Sequence, residues 1–174
     1  QGDWSSDVCS SDLNADSTRM PYKMHKEYLR RLFLNNELTQ GHYLIDERPV
    51  AISDVRAPVF IVAANKDHIA PWRSVYKFRL QADVPVTFLL TAGGHNAGIV
   101  NPPGTPRASY QVETHAEGAP YVDPDTWGER TPHQDGSWWP EWQAWLAARS
   151  GPPGQPPPPP GQPAAGLVPL APAP

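Results

Sequence analysis

The chain has 174 residues, a formal net charge of -4 and a single cysteine. These values exclude an internal disulfide framework and give no electrostatic basis for binding nucleic acid or a strongly anionic membrane surface. Its 23 prolines crowd toward the C-terminus, so the globular part is shorter than the chain, about 130 to 140 residues, and no apolar run approaches the ~20 residues that span a bilayer.

In chain order, residues 1–13 have neither helical nor alternating apolar periodicity and read as a disordered leader or, since Ser-Ser-Asp occurs at Ser5–Asp7 and again at Ser10–Asp12, as foreign sequence joined to a truncated reading frame. Cys9 falls here with no glycine beside it and no strand before it, so it reads as an incidental thiol rather than a nucleophile. From Pro21 the spacing predicts a helix with Met24, Tyr28, Leu29, Leu32 and Phe33 on one buried stripe, ending near Asn35-Asn36. Lys23, Lys26, Arg30 and Arg31 read as its solvated face, with a phosphate-binding patch as the alternative. Gly41 to Asp54 reads as a short hairpin around Asp46-Glu47.

The next stretch, 57–101, organises the chain. Two apolar runs, Val59–Ala64 and Val86–Thr91, each follow a proline and are too short for a free helix, so both read as buried strands. Between them Pro71 opens a helix carrying Trp72, Val75, Tyr76 and Arg79 at three- and four-residue spacing. Strand, helix, strand implies two parallel strands joined by a right-handed crossover. Residues 102–136 are polar, proline-rich and largely aperiodic and read as a long loop, within which Asp123 to Trp127 start a helical turn with a buried indole. A helix follows within 137–150, with Pro140 and Glu141 in its first turn, Arg149 in its last and Gly151 beyond it. Its stripe of Trp138, Trp142, Trp145 and Leu146 is expected to pack on the core. Residues 151–174, with five consecutive prolines, read as a polyproline-like disordered tail.

Asp67 lies just beyond the carboxyl end of the first strand and His95 just beyond that of the second, the edge where ligands of open parallel sheets collect. Acid before histidine is the tail of the order nucleophile, acid, histidine. The competing reading makes Asp67 a cap for the Pro71 helix and His95 an ordinary turn residue behind Gly93-Gly94. No metal site is expected: His68 follows Asp67 directly, but His25, His42, His115 and His133 add no ligand spacing.

The loops Lys66 to Trp72, K-D-H-I-A-P-W, and Gly93 to Pro103, G-G-H-N-A-G-I-V-N-P-P, resemble the poly(3-hydroxyalkanoate) synthases, as do N-A-D-S-T-R-M-P and E-Y-L-R-R-L-F-L-N-N-E-L upstream and G-S-W-W-P-E-W-Q-A-W-L downstream. The resemblance covers residues 14–150, loosely so from Pro106 to Gly136. It implies the C-terminal part of an α/β-hydrolase-fold acyltransferase with a mostly parallel sheet, in which 14–56 belong to a cap. It further implies polymerisation of 3-hydroxyacyl-coenzyme A into a storage polyester with release of coenzyme A, no metal or prosthetic group, a homodimer when intact, and a cytoplasmic location at the polyester granule surface. Asp67 and His95 would be two members of a Cys, Asp, His triad whose cysteine sits in a Gly-x-Cys-x-Gly elbow not found here, so the chain reads as a fragment. Two rivals stand beside this: another hydrolase-fold esterase or polyester depolymerase, and a non-enzymatic fragment or interaction module presenting its proline tail.

Overall fold

A computed structural model describes residues 19–152 and residue 154. The leader, Cys9, the first residues of the family-like segment and nearly all of the proline tail lie outside the described residues.

Helix α1 (Tyr22–Glu27) starts at Pro21 and continues as a wider π turn over Tyr28–Leu34. Asn36, with φ of 53°, then stops it by turning left-handed. The stripe expected to be buried is instead open to solvent: neither part of this helix has a buried residue, and Phe33 is 79% exposed. Its periodicity is real, but among the described residues it is not covered: Met24, Tyr28, Leu29 and Phe33 are all exposed. The helix end is tied to the hairpin by Arg31, which pairs with Glu37 at 2.6 Å and lies 4.7 Å over the Tyr43 ring.

The hairpin forms as read. Strands β1 (Tyr43–Ile45) and β2 (Arg48–Val50) pair antiparallel, and both turn residues, Asp46 and Glu47, take positive φ. That is the two-residue turn whose twist matches a hairpin, here made without the usual glycine.

The main sheet runs β3-β4-β5-β6, with β3 at Val59–Ala64, β4 at Val86–Thr91, β5 at Ser109–His115 and β6 at His133–Asp135. β3 and β4 are parallel, Val59 opposite Val86 through Ala64 opposite Thr91, and between them lie α2 (Trp72–Tyr76) and a 3-10 turn, Lys77–Leu80. β5 and β6 add antiparallel, so the sheet is mixed. β4 is buried along its whole length because it is paired on both sides. β3 buries only Ala63 and Ala64; its one partner is β4, and Val59 to Val62 stay half-buried.

Residues 102–136 are therefore not one long loop. They hold β5, β6 and, between them, α3 (Pro124–Arg130). α3 has the signals the sequence shows: Asp123 accepts from the amides of Asp125 and Thr126, and Pro124 occupies the first turn. Trp127 on α3 is fully buried, its ring edge-on to Phe88 at 5.0 Å and tilted against Tyr76 at 5.6 Å, and this aromatic cluster is the main core. Gln111 anchors the end of α3 by donating its amide to the carbonyls of Gly128 and Thr131 at 2.8 and 2.6 Å.

Helix α4 spans Trp139–Ala147. The chain divides within it into Gln1–Trp142 and Gln143–Pro174. In the first unit Trp138 is 6% exposed and packs with Leu89 and Tyr110, whereas Trp142 is 45% exposed, against the expectation that both are buried. The helix begins one residue after Trp138, so Trp138 is fixed by the preceding bend at Gly136 rather than by helical periodicity. In the second unit Trp145 is half-buried, and Arg149 stacks 4.1 Å over its ring while donating to its carbonyl at 3.0 Å. No helix among the described residues is long and apolar enough to cross a membrane.

Candidate active site

The parallel pairing of β3 with β4 does not stop at the strand ends. The amide of Asn65 donates to Thr91 at 3.0 Å, that of Lys66 to Gly93 at 2.9 Å, and Gly93 donates to the Asn65 side chain at 3.2 Å. These bonds zip the two following loops together, so Asp67 and His95, 28 residues apart, meet: Nδ1 of His95 lies 2.9 Å from Oδ2 of Asp67. Gly93 makes the turn possible. Its φ is 121°, and an added Cβ would sit 2.9 Å from the backbone of Gly98, so only glycine fits without displacing the loop.

The two members of the pair differ in environment. Asp67 is 9% exposed and His95 is 47% exposed. The other carboxylate oxygen of Asp67 accepts the amides of Ile69 and Ala70 at 2.8 and 2.9 Å. The Ala70 amide above all, and then the His95 ring and the Ile69 amide, hold the Asp67 carboxyl down at about 2. A carboxylate with three donors is ionised and fixed in place over the physiological range. The expectation that Asp67 caps the Pro71 helix is corrected in detail: α2 receives no side-chain cap, and Asp67 instead closes the turn before it. With Nδ1 bound to the carboxylate, Nε2 of His95 has no hydrogen-bond partner among the described residues, and the side chain is 47% exposed. An imidazole held by an acid at one nitrogen and open at the other can take a proton from a nucleophile placed against it.

Residues the sequence reading left out hold the histidine loop from the far side. Trp138 donates its indole N–H to the carbonyl of Gly98 and Trp139 donates to that of Ile99, each at 3.1 Å. Ser137 donates its hydroxyl to the carbonyl of Asn101 and accepts the amide of Trp139 at 3.1 Å. The adjacent Trp138-Trp139 pair was visible as a motif, but helical spacing assigns it to a core stripe and says nothing of its reach to a loop 40 residues back. His68, beside Asp67, is exposed. Among the described residues no group of three or more His, Cys, Asp and Glu side chains is arranged to hold a metal ion.

No family model matches the chain. Curated relatives do. It is 44% identical over 133 residues to the poly(3-hydroxyalkanoate) polymerase subunit PhaC of Rhizobium meliloti, a match over 76% of this chain and 21% of that protein. To the poly(3-hydroxyalkanoate) polymerase of Methylorubrum extorquens it is 40% identical over 133 residues, 76% of this chain and 22% of the relative. The subunit PhaC of Cupriavidus necator is 33% identical over 138 residues, 79% of this chain and 23% of its own length. Over about three quarters of its length the chain is thus related in sequence to the poly(3-hydroxyalkanoate) polymerases, and it spans about a fifth to a quarter of the curated relatives it matches.

Proposed function

We propose that this chain supplies the acid and the histidine of a poly(3-hydroxyalkanoate) polymerase active site, on the C-terminal part of an α/β-hydrolase fold. The observation that carries the reading is the Asp67–His95 contact at the carboxyl ends of two adjacent parallel strands. The matching polymerase names supply the chemistry.

In this mechanism a cysteine from a part of the protein beyond these residues gives its proton to Nε2 of His95, and the thiolate attacks the carbonyl of a 3-hydroxyacyl-coenzyme A. The carbon–sulfur bond to coenzyme A breaks, a new thioester to the enzyme forms, and the imidazolium returns its proton to the departing thiolate. The 3-hydroxyl of the next unit then attacks the enzyme thioester as its proton passes to Nε2 of His95; the ester forms, the carbon–sulfur bond to the enzyme breaks, and the imidazolium returns the proton to the cysteine sulfur. Asp67 fixes the imidazole tautomer and stabilises its charge, and it assists deprotonation of that hydroxyl. The reaction needs no metal or prosthetic group. The intact enzyme acts as a homodimer at the granule surface in the cytoplasm.

The 174-residue chain alone is expected to release no coenzyme A. Joined to an upstream polymerase segment carrying the Gly-x-Cys-x-Gly box, it should release coenzyme A from 3-hydroxybutyryl-coenzyme A and accumulate polymer. Hydrolysis of oxygen esters without polymer would favour the esterase or depolymerase reading, and no turnover of either substrate class by a folded fusion would reject the assignment.

A further inference from the structure

We infer that Trp138 is a positioning residue for His95, acting through its indole N–H on the carbonyl of Gly98. The inference deepens the catalytic reading above and rests on it.

The indole is itself immobile. It is 6% exposed and packs with Leu89 of β4 and Tyr110 of β5. The Tyr110 hydroxyl is held by Glu141 and Gln134 at 3.0 and 3.1 Å. Gly98, on the other side of the bond, has no slack either: a Cβ there would lie 2.8 Å from both the Ala64 side chain and the Gly94 carbonyl. The loop is therefore pressed between the end of β3 and the indole. Gly98 is bonded back to Gly94 at 3.0 Å, and Ile99 and Val100 to Asn96 at 3.0 and 2.8 Å, so the turn that carries His95 moves as one unit. Trp139 on Ile99 and Ser137 on Asn101 extend the same clamp to three consecutive residues, Ser137 to Trp139. Among the described residues His95 makes one side-chain bond of its own, to Asp67. Its exposed ring thus depends on the backbone beneath it for aim.

A merely structural role for Trp138 would be to fill volume, and Trp138→Phe separates the two, because it keeps the aromatic ring and removes the donor. The first measurement is nitrogen-15 spectroscopy of the imidazoles in the full 174-residue chain. In the unaltered chain the ring nitrogens of His95 should report one tautomer, with the Nδ1 proton shared with Asp67. Trp138→Phe should convert this to a tautomer mixture and broaden or remove the shared-proton signal. Trp127→Phe, which alters a fully buried indole packed among Tyr76, Phe88 and Leu90 and without a hydrogen-bond partner among the described residues, should leave it unchanged. Unaltered His95 signals in a folded Trp138→Phe chain, or equal changes in both variants, would overturn the inference.

Should Trp138→Phe fail to fold in isolation, the same pair is compared in a full-length polymerase carrying this segment. There Trp138→Phe should lower kcat about tenfold with KM nearly unchanged, the signature of a misplaced group rather than lost binding. A kcat loss no larger than that of Trp127→Phe would reject the clamp. The catalytic reading fails by a different result: full activity of His95→Gln sinks that reading whatever the spectra of Trp138→Phe show.

Discussion

Two carboxylate–imidazole pairs lie on this sheet, and they have little in common beyond their functional groups. Asp67 and His95 come from separate loops at the carboxyl edge of β3 and β4. Glu113 and His115 are two residues apart on β5, hence on one face of a single strand. In the second pair Nε2 of His115 is 3.2 Å from Glu113 but is not aligned for a hydrogen bond, and the Glu113 carboxylate is occupied by the guanidinium of Arg130 at 2.7 and 2.9 Å. His115 is 7% exposed, and burial, reinforced by the nearby Arg79 charge, pushes its pKa below the ordinary value despite the glutamate. The first pair does the opposite. Its acid is shielded and accepts three hydrogen bonds while its imidazole is open. Closeness of an acid and a histidine is therefore a weak sign of function. What separates the pairs is which partner is buried, whether the bond is aligned, and whether the imidazole is exposed.

The largest expected effect tests that distinction directly. In a full-length polymerase carrying this segment, His95→Gln should reduce coenzyme A release about 10²- to 10⁴-fold, the range for loss of a general base. His115→Gln should leave turnover per folded molecule unchanged. Equal losses in the two variants, measured with folded fractions matched by circular dichroism, would erase the contrast.

Position outweighs residue type among the tryptophans as well, and this is read out as stability. Trp127→Ala removes a fully buried ring from the cluster that also packs against the His115 strand, and should cost about 3 to 5 kcal/mol. Trp142→Ala, at a position 45% exposed, should cost about 1 kcal/mol or less. Urea unfolding at fixed pH measures both, and a Trp142 loss equal to that of Trp127 would show that the helix face is covered.

A smaller effect separates the two tasks assigned to Asp67. If it assists the hydroxyl as well as orienting the ring, Asp67→Asn should slow elongation about 10- to 100-fold while the first acyl loading falls less. Single-turnover and steady-state release of coenzyme A measure the two steps. Equal losses would reduce Asp67 to holding the tautomer.

The smallest effect is the pH dependence of stability. Asp67 has a folded-state value lowered to about 2 from an ordinary 3.8, so the unfolded chain binds its proton first. Its contribution is fully present above about 3.8 and is lost as pH falls through about 2. His115 is also depressed, from 6.5, so its unfolded form again takes the proton first and stability declines as pH drops below 6.5. Thermal melts should therefore show two separate acid limbs. Glu37 and Asp123 are lowered as well, so Asp67→Asn should shrink the lower limb without removing it, whereas His115→Gln should flatten the upper one.

Local periodicity and breakers carried much of this molecule. The two apolar runs after Pro58 and Pro85, the helix after Pro71, the Asp46-Glu47 hairpin and the Asp123 cap all form where composition and spacing put them, because each depends on interactions within a few residues. The order Asp67 before His95, each past a strand end, was enough to place both at one edge of a parallel pair. β5 and β6 were not legible: in Ser-Tyr-Gln-Val-Glu-Thr-His the buried Gln111 and His115 break any apolar pattern, and they are tolerated only because α3 and the core reach them from elsewhere in the chain. The exposed stripe of α1 and the exposed Trp142 show the reverse failure, since periodicity marks a face that can be buried and not whether anything covers it. Tertiary structure alone decided the 2.9 Å bond between Asp67 and His95 and the grip of Trp138 on the histidine loop, because each joins residues at least 28 positions apart. Contacts at that separation are set by how strands pair and pack, and no local pattern encodes them.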